Sequence, residues 1–123
     1  MNYLLKKYLP QIEFESYEEF REKFTINVPE DFNFGYDVVD AWADEEPEKR
    51  ALVWVNEQGE KHVFTFTDIK RLSNRVANFF KSLGLKKGDV VMMILRRRWE
   101  DWICATALLK LGVILIPATL QLT

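Results

Sequence analysis

Two continuous apolar runs joined by a segment of helix length constrain the fold of this chain more than any other feature. Residues 90–95 are apolar at every position, and residues 113–116 are valine, isoleucine or leucine. Such runs are typical of strands with both faces covered, as in a parallel sheet. Residues 99–111 are predicted to form a helix that ends before Gly112. We therefore predict a βαβ unit with a right-handed crossover.

An amphipathic helix is predicted just before this unit, over residues 68–83, with Thr67 as its N-cap. Its apolar residues recur every three or four positions and form one stripe: Ile69, Leu72, Val76, Phe79, Phe80 and Leu83. Gly84 stands where a left-handed C-cap residue is expected. Both apolar strands also need neighbours, and only seven residues follow the second one. We expect the sequence to be the front of something larger, or to be completed by a partner.

The first half of the chain predicts a β-hairpin and two short helices. Residues 51–55 and 61–66 are predicted strands joined by a turn over residues 56–59. Residues 36–44 are a predicted helix, whose Asp37, Asp40 and Asp44 are interpreted as solvated charges rather than acid/base machinery. Ser16 and Glu19 show the capping-box pattern of a helix that ends near Phe24. We divide the chain into a peripheral extension with a short helix (residues 1–35) and a partial α/β subdomain (residues 36–123).

The composition excludes several classes of site. One cysteine, Cys104, excludes an internal disulfide and fits a reducing compartment. His62 is the only histidine and is interpreted as a surface or rim residue, so a Cys/His zinc site has almost no ligands. The apolar stretch 102–120 is interrupted by Lys110 and is better explained by a helix and a strand than by a membrane span. Cys104 is interpreted as a small core residue rather than a reactive thiol.

The charge distribution and the absence of known motifs exclude further classes of function. Residues 1–50 carry six basic and 13 acidic side chains, a net charge of −7, and residues 51–123 carry 11 and six, a net charge of +5. The basic charges are scattered over a helix face, so we expect no nucleic-acid partner. The sequence has no G-x-G-x-x-G, Walker A or H-E-x-x-H pattern.

Arg96, Arg97 and Arg98 form the one suggestive cluster. They follow a predicted buried strand and precede a helix, which is where α/β sheets often bind ligands and where helix starts favour anions. A phosphate or a carboxylate would fit there. The alternative is a basic, solvated loop whose arginines pair with Glu100 or Asp101, and the sequence leaves the role of the three arginines open.

The order of these elements resembles the N-terminal segment of AMP-forming acyl-CoA synthetases, in the branch of acetyl- and medium-chain enzymes of the adenylate-forming superfamily. The resemblance covers nearly the whole chain and is carried by residues 27–40, 51–54, 64–78, 83–91 and 111–119. It implies an α/β fold, the N-terminal part of the large domain of these enzymes, with helices packed on a mixed sheet. A β-hairpin followed by a βαβ unit would belong to that sheet, which would be incomplete in an isolated chain.

The resemblance also implies a reaction. Full-length relatives join a carboxylic acid to ATP with the help of Mg²⁺, release pyrophosphate, and transfer the acyl group from the adenylate to coenzyme A. The family's Ser/Thr/Gly-rich phosphate loop and its adenylation lysine match no stretch here. We therefore assign no catalytic, cofactor-binding or metal-binding residue, and expect no cofactor to bind this segment alone.

The leading interpretation is thus a scaffold segment of a cytoplasmic acyl-CoA synthetase that is inactive by itself. Its expected partners are the rest of the synthetase chain or a second copy, bound through an open sheet edge. One alternative is a stand-alone, non-enzymatic interaction module derived from that family. Another is a binder of small anions or nucleotides that uses the three arginines. Acyl-chain preference is not encoded in these residues.

Overall fold

The computed structural model describes residues 2–122, with side chains from Leu5 onward, and the chain divides into two compact units between Phe32 and Asn33. The first unit contains helix α1 (Asn2–Tyr8) and helix α2 (Tyr17–Lys23). The sequence did not predict α1, because its pattern is short and lacks a start signal. The prediction for α2 is confirmed.

The cap of α2 is built from local hydrogen bonds. The Ser16 hydroxyl accepts a hydrogen bond from the Glu19 backbone N–H at 3.1 Å, as predicted. The Glu19 carboxylate in turn accepts from the Glu15 backbone N–H at 2.7 Å and from the side chains of Lys23 and Gln11. These bonds favour the charged form and lower the pKa of Glu19 to about 2.

The second unit holds the remaining elements. In chain order they are a π-helical turn (Gly35–Asp40), α3 (Ala41–Glu45), β1 (Arg50–Val55), β2 (Lys61–Thr65), α4 (Phe66–Ser82), β3 (Val90–Met93), α5 (Trp99–Leu111) and β4 (Ile114–Pro117). Strands β1 and β2 pair antiparallel and β3 and β4 pair parallel, which confirms the hairpin and the βαβ unit. Among the described residues, no strand of the hairpin hydrogen-bonds to β3 or β4, so the strands form two sheets rather than one mixed sheet.

The core of this unit lies where α4 and α5 pack against each other, the hairpin and the π-helical turn. Ile69 of α4, Ile103 of α5 and Val39 of the turn form its buried centre. Leu108 of α5 is completely buried. The first half of the predicted apolar stripe of α4, Ile69, Leu72 and Val76, contacts this core. Phe79 and Leu83 of the same stripe are 58% and 61% exposed, so the prediction of one core-facing stripe holds for the start of the helix and not for its end. In the described residues, no helix is long and apolar enough to cross a membrane.

Helix α4 begins at Phe66, two residues earlier than predicted. The Thr65 hydroxyl accepts from the Asp68 backbone N–H at 3.2 Å, while the Asp68 carboxylate accepts from the Thr65 backbone N–H at 3.0 Å. This reciprocal capping box makes Thr65 the N-cap. The prediction of Thr67 is wrong, because Thr67 lies within the first turn of the helix and its hydroxyl donates to the Pro47 carbonyl at 2.9 Å instead of capping α4.

The end of α4 agrees with the sequence. Gly84 has φ of +93°, in the left-handed region that favours glycine. Its backbone N–H bonds to the Lys81 carbonyl, and the Leu85 backbone N–H bonds to the Phe80 carbonyl. This is a Schellman motif, which satisfies carbonyls that the last turn would leave unpaired.

The parallel pair is covered on one face only. Val90 and Met92 of β3 are 58% and 57% exposed, whereas Val91 and Met93 are partly buried. Ile114 of β4 is 54% exposed. Within the described part of the chain, the expectation that both faces are covered is therefore wrong, because nothing there packs on the second face.

Candidate functional site

An open cleft of about 710 Å³ lies at the carboxyl ends of β3 and β4. Three segments line it: residues 55–58 at the end of β1 and in the hairpin turn, residues 95–97 after β3, and residues 119–121 after β4. Because β3 and β4 are parallel, the loops that follow them leave the same edge of the sheet. Ligand sites of α/β sheets commonly occupy this edge, and the sequence left the role of the three arginines there open.

The three arginines do not share one role. Arg98 pairs with Glu100 through two hydrogen bonds of 2.7 and 3.2 Å. This pair raises the pKa of Arg98 and lowers the pKa of Glu100. Arg96 and Arg97 are among the residues that line the cleft. Their side chains are exposed and form no ion pair or hydrogen bond with any residue from 5 to 122. The alternative of an ion-paired loop thus holds for Arg98 alone.

The hairpin is joined to the arginine loop by one hydrogen bond. The indole Nε1 of Trp54, in β1, donates to the backbone carbonyl of Arg97 at 2.7 Å. The opposite side of the cleft is also anchored, because the Ala118 backbone N–H donates to the Met93 carbonyl at 3.0 Å beyond the end of the strands. These two bonds fix the backbone on which the cleft is built.

An aromatic cluster lies beside this contact. The His62 ring lies 5.6 Å from the Trp54 ring, 6.1 Å from that of Phe64 and 5.9 Å from that of Trp99, measured between centroids. The side chain of His62 remains 40% exposed, and its Nε2 lies 2.9 Å from the Glu60 carboxylate. This placement confirms the interpretation of His62 as a rim histidine.

A buried ion pair lies outside the cleft, between α5 and the π-helical turn. The Nζ of Lys110 lies 2.7 Å from the Asp40 carboxylate and 2.7 Å from the Asn74 side-chain oxygen, and the Lys110 side chain is fully buried. The interpretation of Asp40 as a solvated charge is therefore wrong. A π-helical turn holds one more residue than an α-helical turn, so its side chains do not follow the α-helical spacing used for the prediction.

The space around Lys110 is closed tightly. A Cβ on residue 35 would lie 2.5 Å from the Lys110 Cγ, so only glycine fits there. The Asn33 side-chain amide donates to the Leu109 carbonyl at 2.8 Å, and its oxygen accepts from the Gly35 backbone N–H at 3.0 Å. These contacts join the π-helical turn to the end of α5. The surroundings of Lys110 therefore serve to hold these two elements together and leave no space for a ligand.

Two other expectations concern reactive groups. Cys104 is partly buried, and burial, aided by the charges of Asp101 and Glu100, raises the pKa of its thiol, which agrees with an inert core cysteine. Among residues 2–122, no group of three or more His, Cys, Asp or Glu side chains is arranged to hold a metal ion. The sequence missed two walls of the cleft, residues 56–58 and 119–121, because no motif marks them and only tertiary packing brings them to the arginines.

Comparison with known proteins gives consistent results. Residues 39–123 match the model of a family described as AMP-binding enzyme. The chain is 39% identical to human acyl-coenzyme A synthetase ACSM3, mitochondrial, over 89% of this chain and 20% of that protein. It is 41% identical to human acyl-coenzyme A synthetase ACSM1, mitochondrial, over 77% of this chain and 18% of that protein. The chain therefore spans about a fifth of the length of these curated relatives.

Solved structures agree with the fold. A fatty acyl CoA synthetase from Mycobacterium tuberculosis superposes with a TM-score of 0.63 at 25% identity, over 74% of this chain and 17% of that one. A fatty acid AMP ligase from Legionella pneumophila superposes with a TM-score of 0.65 at 21% identity, over 69% of this chain and 15% of that one. The α/β architecture predicted from the sequence is thus confirmed.

Proposed function

This chain belongs to the AMP-binding enzyme family, and from that premise we propose that it is an N-terminal segment of an acyl-CoA synthetase. The proposal rests on 39% identity, over 89% of the chain, to a relative named as an acyl-coenzyme A synthetase. In the proposed reaction, a carboxylate oxygen attacks the α-phosphorus of ATP and pyrophosphate leaves. The thiol of coenzyme A then attacks the acyl-adenylate, which yields the thioester and AMP.

In this proposal the segment provides scaffold rather than chemistry. Helices α4 and α5 and the hairpin form a packed core, and among the described residues no group of three or more His, Cys, Asp or Glu side chains is arranged to hold a metal ion. The groups that bind ATP, Mg²⁺ and coenzyme A would therefore come from other segments of the same protein, with the carboxylic acid as its substrate.

The test is ATP–pyrophosphate exchange, with Mg²⁺ and a panel of short- and medium-chain carboxylates. It is run on the 123-residue chain and on a longer protein expressed from the same gene. We expect exchange by the longer protein and none by the 123 residues. Exchange by the short chain would refute the scaffold role, and its absence from a folded longer protein that extends through the family's phosphate loop would refute the synthetase assignment.

A stand-alone interaction module remains the second candidate, because both sheets expose apolar side chains. Val53, Val55 and Val63 of the hairpin are 48%, 59% and 45% exposed, in addition to the outer face of β3 and β4. Sequencing the transcript beyond the codon for Thr123 discriminates the two. Continuation into a Thr/Ser/Gly-rich phosphate loop supports the synthetase, and a stop codon supports the module.

The cellular compartment of this protein stays a prediction. The single cysteine favours a reducing environment, from which we propose a cytoplasmic location, whereas the names of the curated relatives place those proteins in mitochondria. Fractionation of cells that express the full gene with a C-terminal tag tests the proposal. Recovery of the tag in the mitochondrial fraction would contradict it.

A further inference from the structure

We propose that the C-terminal end of α4 and the turn that follows it bind the surface of an anionic lipid bilayer. The residues concerned are Arg75, Phe79, Leu83, Lys86 and Lys87, and together they are called the basic apolar surface. Membrane association is no part of the proposed function, since the formation of an acyl-adenylate requires no lipid.

The apolar part of this surface is an exposed row on one helix face. Phe79 and Leu83 stand four positions apart, so their side chains are neighbours on α4, and they are 58% and 61% exposed. An open groove of about 370 Å³ continues the row toward the start of the helix and is lined by Leu72, Arg75, Val76 and Phe79. Exposed apolar residues that are contiguous in this way mark an interaction surface.

The basic part of the surface has no counter-charge in the described chain. Arg75 lines the groove, and Lys86 and Lys87 follow Leu83 by three and four positions. The side chains of these three residues are exposed and form no ion pair or hydrogen bond with any residue from 5 to 122. Asp89 is the only carboxylate between residues 75 and 89. Three cations against one carboxylate leave a net charge of +2, which attracts an anionic partner.

The turn that carries the two lysines is held in place by backbone hydrogen bonds. The Leu85 N–H donates to the Phe80 carbonyl at 3.2 Å, and the Gly88 N–H donates to the Gly112 carbonyl at 3.0 Å. The Asp89 carboxylate accepts from the Lys86 backbone N–H at 2.8 Å. Because the turn is already ordered, binding costs mainly the rotamer entropy of the side chains.

The combination of charge and apolar exposure selects the partner. A second copy of this chain would bring two sets of like charges together, which disfavours it. A nucleic acid supplies phosphates but no apolar layer for Phe79 and Leu83. An anionic bilayer supplies both, because its headgroups attract lysine and arginine while the acyl boundary accepts phenylalanine and leucine.

The test is co-flotation with vesicles of phosphatidylcholine, either alone or mixed with phosphatidylglycerol. It is run on the 123-residue chain and on a longer protein expressed from the same gene. The test variants are Lys86→Gln/Lys87→Gln and Phe79→Gln. The controls are Lys61→Gln and Val63→Thr, because these two residues are exposed in β2 and lie outside the basic apolar surface. Circular dichroism shows whether each variant keeps its fold.

We expect both proteins to bind the vesicles that contain phosphatidylglycerol, and binding to weaken with added salt or with phosphatidylcholine alone. The partition coefficient should fall about tenfold or more in the lysine variant and about fivefold in Phe79→Gln, and stay within about twofold in the controls. Excess glycerol 3-phosphate, a free phosphate monoester, should not compete with the vesicles.

Three results would each overturn the proposal: no binding to the mixed vesicles, equal binding by the test variants, or competition by glycerol 3-phosphate. Binding by the 123-residue chain that is lost in the longer protein would overturn it as well, since other segments would then cover this surface. The exchange assay contains no vesicles, so failure of the lipid test leaves the proposed function standing.

Discussion

At the scale of single residues, Lys110 is a charged side chain that holds three elements of the fold together. It lies in the last turn of an apolar helix, where the sequence shows only an interruption of a hydrophobic run. In the structure its ammonium group joins the π-helical turn to α4 and α5, through Asp40 and Asn74. Burying an ion pair of this kind costs desolvation free energy, which the attraction between the two charges offsets. Removal of one partner therefore leaves the other charge buried and uncompensated.

We predict that Lys110→Met lowers the free energy of unfolding by about 3–5 kcal/mol, because Asp40 is then buried without a cation. Urea denaturation followed by circular dichroism measures this. Lys81→Met is the matched control, since Lys81 is exposed on α4, and we expect a change within about 0.5 kcal/mol. The double variant Asp40→Leu/Lys110→Met removes both charges and should recover most of the lost stability. A loss below about 1 kcal/mol in Lys110→Met would contradict the role of the pair.

At the scale of elements, the start of α4 shows how a helix is positioned by its cap. Two threonines stand within three residues, and the sequence pattern alone favours Thr67. In the structure, β2 runs through Thr65, which leaves this residue extended, with ψ of 168°, as an N-cap requires. The strand pairing that holds Thr65 is a tertiary fact, because its partner Arg50 lies 15 positions earlier in the sequence.

Two substitutions distinguish the role of Thr65 from that of Thr67. We predict that Thr65→Ala destabilises the chain by about 1 kcal/mol, because the Asp68 backbone N–H loses its acceptor and the Asp68 carboxylate loses one of its two donors on Thr65. Thr67→Ala loses one exposed hydrogen bond and should cost about 0.5 kcal/mol. Thr65→Ser, which keeps the hydroxyl, should stay close to the wild type. If thermal unfolding shows Thr67→Ala to be the more damaging change, the assignment of the cap is wrong.

At the scale of the whole molecule, the exposed apolar strand residues are the dominant feature. Strands β3 and β4 each pair with one strand only within residues 2–122, and their outer face carries exposed isoleucine, valine and methionine. Unpaired strand edges beside an apolar face are a template for pairing with another chain. In the proposed synthetase, other segments of the protein would cover this surface.

We therefore predict that the isolated chain self-associates as its concentration rises. Size-exclusion chromatography with light scattering should give a mass above that of the monomer. Ile114→Lys places a charge on the exposed face of β4 and should shift the mass toward the monomer. Asn78→Lys adds the same charge on the exposed side of α4 and should leave the association unchanged. A sharp monomer peak from the wild type at high concentration would contradict the prediction.

Much of the architecture could be predicted because it depends on local chemistry. The spacing of apolar residues places the first half of the α4 stripe on the core, Gly84 ends that helix, and Ser16 starts α2. The bounds of α5, Trp99–Leu111, agree with the prediction at both ends, since Gly112 is left-handed there with φ of +69°. These signals extend over one or two turns, which is the range within which side chains act on their own backbone.

The sequence by itself determined the hairpin and the βαβ unit. It also determined the family, because the stretches that resemble the family occur in the same order along the chain. Only the tertiary structure decided that Asp40 is buried on Lys110, 70 positions away, and that Arg98 is paired while Arg96 and Arg97 face a cleft. The reason is physical. Burial and charge pairing depend on which distant groups meet in space, and local periodicity carries no information about that distance.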